Sequence, residues 1–102
     1  MAETLTQERI VEINLVTTSA ALAALPARPQ QMDEYADWRI DWIEVMARFE
    51  WVLDLAREGK LSAAHQSECE RLLRQLREHL SLAEQLDLEV PQKVLIAIKE
   101  VS

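Results

Sequence analysis

The chain has 102 residues, of which 49% are hydrophobic and 28% charged, with one Gly and a formal net charge of −7. This length is typical of one domain, so residues 1–102 are expected to form a single unit. β-Sandwiches, barrels, dinucleotide-binding sheets and phosphate-binding loops all need Gly at turns or close approaches, which this chain cannot supply. The composition therefore predicts an all-α fold.

The charge balance excludes several classes of partner. Nucleic-acid binding depends on Lys and Arg that neutralise phosphates, and 18 acidic residues outnumber 11 basic ones here. Anionic membrane surfaces are excluded for the same reason. The single Cys69 cannot form an internal disulfide, the first residues are acidic, and no apolar run approaches the ~18 residues of a membrane span. We expect a cytoplasmic protein that binds neither nucleic acid nor membrane.

The first predicted helix runs from about Leu5 to Leu25, with Thr4 and Gln7 at capping-box spacing and Pro26 ending it. Its apolar residues form two adjoining stripes, wide enough for contact with several neighbours. One stripe contains Ile10, Ile13, Ala20 and Ala24, and the other contains Val11, Leu15, Leu22 and Leu25.

The second predicted helix spans about Gln31 to Arg57 and contains all five aromatic residues. Apolar side chains recur at spacings of three and four, which indicates one buried seam. The seam consists of Tyr35, Trp38, Trp42, Val45, Phe49, Val52 and Ala56. Gly59 is placed to end this helix, because Gly readily adopts the left-handed conformation of a C-cap.

A third helix is predicted from about Ala63 to Gln85, after Ser62 as N-cap. Its length matches that of the second helix and the link is short, so the two are expected to form an antiparallel hairpin. The segment from Pro91 to Val101 has helical spacing but also strand-forming residues. Helix is favoured because no other segment offers a partner strand. The predicted fold is thus a bundle of three long helices plus a short C-terminal helix.

The aromatic seam is open to two interpretations. It is either the core of the bundle or part of an interface. Ile40 and Trp51 lie on a separate side of the second helix, and four helices in one copy cannot easily cover both sides. We therefore expect a twofold homodimer through this helix. The expected interface residues are Tyr35, Trp38, Ile40, Trp42, Val45, Phe49, Trp51 and Val52.

Four carboxylates lie at 3-4-3 spacing on one side of the same helix: Glu34, Asp37, Asp41 and Glu44. Such a run is either a solvated outer surface or a docking strip for a basic partner. Like charges at this spacing cost a little stability, unless a cation meets them.

Few residues offer catalytic or metal-binding chemistry. His65 and Cys69 are one helical turn apart and supply two of the four ligands of a tetrahedral metal site, which makes them weak metal candidates. His79 is interpreted as a histidine at the edge of the core. It lies ~15 Å along the helix from Cys69, too far for direct activation of the thiol. We expect no enzymatic activity, no cofactor and no bound metal.

The sequence favours a protein–protein interaction module, such as an adaptor, assembly factor or regulatory subunit, that acts as a homodimer. One alternative is an acidic, antitoxin-like inhibitor that blocks a basic site. Another is a helical bundle that binds a metal or a small ligand through His65, Cys69 and His79.

Overall fold

The computed structural model describes residues 6–27 and 32–101, with the side chains of residues 27 and 32–35 left out of the description. Four α-helices form this part of the chain, and it contains no strand. They are α1 (Gln7–Ala24), α2 (Met32–Arg57), α3 (Ala63–Gln85) and α4 (Gln92–Glu100), with a 3-10 turn at Leu25–Ala27. The predicted all-α bundle with three long helices and a short C-terminal helix is confirmed, and the ambiguous last segment is helical.

Side-chain caps begin two of the helices. The Thr6 hydroxyl accepts a hydrogen bond from the backbone N–H of Arg9, so α1 begins later than the capping pattern at Thr4 predicts, and Thr4 itself lies outside the described residues. The hydroxyl of Ser62 accepts the backbone N–H of His65, as predicted. At the start of α4, Pro91 is the N-cap residue and makes no side-chain hydrogen bond.

Two helices end in the same left-handed motif. Gly59 has a φ of 71° and its N–H donates to the carbonyl of Ala56, while Lys60 N–H donates to that of Leu55. This pair of bonds is the Schellman motif, and it confirms Gly59 as the cap of α2. At the end of α3, Asp87 takes the equivalent place with a φ of 56°. Asp and Asn tolerate this conformation better than other residues with a side chain.

The helices form a flattened bundle. Both α1 and α4 pack against α2 and α3, while α2 and α3, although joined by a short link, contact each other less than either contacts α1. The molecule measures 41 × 40 × 19 Å, and its radius of gyration of 14.2 Å exceeds the ~13 Å typical of this length. A thin bundle leaves more helix surface facing outward than a compact one does.

One core runs through all four helices. Its largest fully buried side chains include Phe49, Leu22, Met46, Leu72 and Leu76. Every buried side-chain nitrogen or oxygen in the described part has a hydrogen-bond partner. None of the described helices combines the length and apolar composition needed to cross a membrane.

Candidate protein-binding surface

The structure separates the aromatic residues of α2 into core and surface. Four of the eight expected interface residues are buried inside a single copy: Trp42, Val45, Phe49 and Val52. Trp38 is half-buried and packs against the same core, and the side chain of Tyr35 lies outside the described residues. Of the expected interface residues, Ile40 and Trp51 are therefore the two described ones whose side chains face solvent.

These two exposed residues belong to a longer apolar row, which we call the α2 outer line: Ile40, Ile43, Ala47 and Trp51. Ile40 is 61% exposed and Ile43 55% exposed. The spacings of three and four residues place the row on one side of the helix, away from Trp42 and Phe49. It extends ~16 Å along the helix axis. The core of one chain leaves this row uncovered.

Acidic residues follow one flank of the α2 outer line. Asp37, Asp41 and Glu44 are all exposed, and helical geometry places them beside Ile40 and Ala47. We call these three the acidic rim. Within the described residues, no Lys, Arg or His lies within salt-bridge distance of them. The fourth predicted carboxylate, Glu34, has its side chain outside the described residues.

A groove follows the opposite flank. It has a volume of about 390 Å³ and lies between α2 and the segment that leads into α4. Ile43, Met46, Ala47 and Glu50 form one wall, and Glu89, Val90 and Pro91 form the other. The α2 outer line is therefore bordered by the acidic rim on one side and, on the other, by a groove lined by apolar residues and two glutamates.

Hydrogen bonds from α2 hold the far wall of this groove in place. The indole Nε1 of the buried Trp42 donates to the backbone carbonyl of Glu89 over 2.8 Å. Arg39 donates to the carbonyl and the carboxylate of Asp87, two residues earlier in the same segment. Because Trp42 is buried, its bond attaches the wall of the groove to the core.

The metal candidates do not share a site in the structure. Cys69 is buried and lines a cavity with Leu53 and Ala97, whereas the half-buried His65 lines a different depression beside Gly59. Burial raises the pKa of the Cys69 thiol to about 11, which disfavours the thiolate that metals bind. Within the described residues, no cluster of three or more His, Cys, Asp or Glu side chains could hold a metal ion.

His79 occupies the position that the sequence indicates. It is half-buried at the edge of the core, and its Nδ1 lies 2.8 Å from the backbone carbonyl of Gln75, one turn earlier. This contact gives Nδ1 a hydrogen-bond partner within its own helix.

Sequence reasoning missed the groove because its two walls are about 40 residues apart in the chain. It also did not single out Ile43, which is exposed. The chain matches no known family model, no curated protein and no solved structure.

Proposed function

We propose that this chain is a cytoplasmic, non-enzymatic binding module that docks a basic amphipathic helix of a partner protein on the α2 outer line. The observation that carries the proposal is the row of large apolar side chains exposed opposite the core of α2, led by Ile40 and Ile43. Exposed apolar surface that is contiguous and rimmed by polar residues marks interaction sites in soluble proteins.

The borders of the α2 outer line specify the chemistry of the partner. An amphipathic helix lays apolar residues at spacings of three and four into such a surface. The acidic rim calls for Lys or Arg on the flank of that helix, where opposite charges speed association and fix its orientation. The groove beside Ile43 and Val90 offers space for one larger apolar side chain of the partner.

An identical copy is a less favourable occupant of this surface. A twofold axis between two antiparallel α2 helices places the same flank of both helices on the same side of the pair. The acidic rims of the two copies would then lie on one side, and they add to the repulsion between two chains that each carry a net charge of −7. The Lys or Arg side chains of a basic partner are instead attracted by these carboxylates.

The test uses two synthetic peptides of about 16 residues, which span ~24 Å when helical. Both have Leu at helical spacings, and the flanking positions are Lys in one and Glu in the other. Isothermal titration calorimetry should give a micromolar dissociation constant for the Lys peptide and no measurable binding of the Glu peptide. Added salt should weaken binding, because exposed charges are screened over ~10 Å at 0.1 M.

Matched variants locate the binding. Ile40→Ser on α2 should weaken binding of the Lys peptide about tenfold or more, whereas Ile96→Ser, at an exposed Ile of α4, should leave it unchanged. Neutralising the rim as D37N/D41N/E44Q should also weaken binding and reduce its salt dependence. Equal binding of both peptides, or equal effects of the two Ile variants, would show that the proposal is wrong.

A further inference from the structure

The first helix has an outward surface that the core does not use. Of its two apolar stripes, the one with Val11, Leu15, Leu22 and Leu25 is buried. In the other stripe Ile13, Ala20 and Ala24 are exposed and Ile10 is half-buried, and the neighbouring Val16 is 64% exposed. We call the row Ile13, Val16, Ala20, Ala23 and Ala24 the α1 outer face.

This surface differs from the other helix surfaces in its charge. From Ile13 through Ala27 the sequence has no ionisable side chain at all. The outward surfaces of α2, α3 and α4 each include exposed Asp, Glu, Lys or Arg in the described residues. Two copies that each carry a net charge of −7 repel each other, so they approach most easily along this uncharged stretch, which Arg9 and Glu12 border at its N-terminal end.

The sizes of the side chains on the α1 outer face also suit a copy of itself. The large residues, Ile13 and Val16, lie toward the N-terminal end, and the three alanines lie toward the C-terminal end. In an antiparallel pair with its twofold axis near residue 18, Ile13 faces Ala23 and Ala24 of the copy, and Val16 faces Ala20. Each contact between a large and a small side chain then occurs twice, because the axis is twofold. A parallel pair would instead place large against large.

We propose that the protein self-associates through an antiparallel pair of α1 helices, one from each copy, across the α1 outer face. This contact is separate from the binding surface proposed on α2, so both can be occupied at once. The row is ~16 Å long, which is short for a permanent dimer, so the association is weak and concentration-dependent.

Sedimentation velocity of the full chain over a concentration series tests the proposal. The wild type should shift from the 11.7 kDa monomer toward twice that mass as the concentration rises into the high micromolar range. Val16→Glu brings two carboxylates into the contact and should weaken dimerisation about a hundredfold or more. Val16 is exposed, so circular dichroism should show an unchanged fold.

Ile40→Glu is the control, because it places the same charge on the α2 outer line and should leave dimerisation unchanged. A dimer that is lost in I40E and kept in V16E would overturn the proposal and place the dimer on α2. A wild type that stays monomeric at every concentration would also overturn it, without touching the peptide binding proposed for α2.

Disulfide trapping tests the direction of the pair. Mild oxidation of a mixture of the Val16→Cys and Ala20→Cys variants should give mainly a covalent dimer of one with the other. The native Cys69 is buried and should not compete. Predominance of V16C joined to V16C would indicate a parallel pair and contradict the proposed arrangement.

Discussion

Replacing Trp42 by Phe tests how the core of α2 supports the groove. The indole is 2% exposed and its N–H bonds to the carbonyl of Glu89, so the change removes both buried area and a hydrogen bond. The lost area is on the order of 40 Å², worth ~1 kcal/mol at 25 cal/mol per Å². Loss of the hydrogen bond costs a further ~1 kcal/mol. We expect the free energy of unfolding to fall by about 2 kcal/mol.

The measurement is urea denaturation followed by circular dichroism, with Trp51→Phe as the matched control. Both residues are Trp on α2, but Trp51 is partly exposed on the α2 outer line and should lose less than ~0.5 kcal/mol. The melting temperature of W42F should fall by about 10 °C. Equal losses in the two variants would refute the division of α2 into a buried side and an uncovered side.

Two other positions give further predictions. Gly59→Ala should lower the free energy of unfolding by about 1 kcal/mol in the same urea assay, because the φ of 71° at this position strains any residue that has a Cβ. The cost comes from the backbone alone, since no atom lies within 4 Å of where the Cβ would be. Iodoacetamide should alkylate Cys69 at pH 8 at least ~100-fold more slowly in the native protein than in urea, since its raised pKa and burial remove the reactive thiolate; comparable rates would contradict this. Because the pKa of Cys69 is raised in the folded state, the unfolded state loses its thiol proton first as pH rises. Between pH 9 and 11 the free energy of unfolding of the wild type should therefore fall by up to about 2 kcal/mol more than that of Cys69→Ala. The same pH dependence of the free energy of unfolding in both proteins would refute this.

Local patterns in the sequence predict most of the secondary structure. Helical spacing of apolar residues places the three long helices, while the fourth is favoured as a helix because no other segment offers a partner strand. Gly59 and Ser62 mark the end of α2 and the start of α3. These signals depend on residues within one or two turns of each other, so they can be found without the fold. Asp87 is the exception, because it ends α3 in a conformation for which a Gly would be the expected signal.

Which apolar side of a helix is buried could not be predicted in the same way. The two stripes of α1 look equivalent in sequence, yet the core takes Val11 and Leu15 and leaves Ile13 and Ala20 at the surface. That choice depends on how α2 and α3 lie relative to α1. The spacing of residues along one helix carries no information about this arrangement. For α2, the sequence separates Ile40 and Trp51 from the seam, and the structure places both at the surface.

The candidate binding surface was predictable only in part. The spacing of the three rim carboxylates along α2 predicts that they share one side of the helix, and all three are exposed in the structure. The groove depends on Trp42 bonding to Glu89, a contact between residues 47 positions apart. A tertiary contact of this kind becomes visible only when the chain is folded.

The most direct test of the central claim is a nuclear magnetic resonance titration of ¹⁵N-labelled protein with the Lys-flanked peptide. Binding on the α2 outer line predicts that the largest shifts occur at the backbone amides of Ile40 and Ala47 and at the indole N–H of Trp51. The indole N–H of Trp42, which is buried and bonded to Glu89, should move least of the three indoles. Shifts confined to α1 or α4, or no shift at peptide concentrations near 1 mM, where even weak binding is detected, would contradict the account.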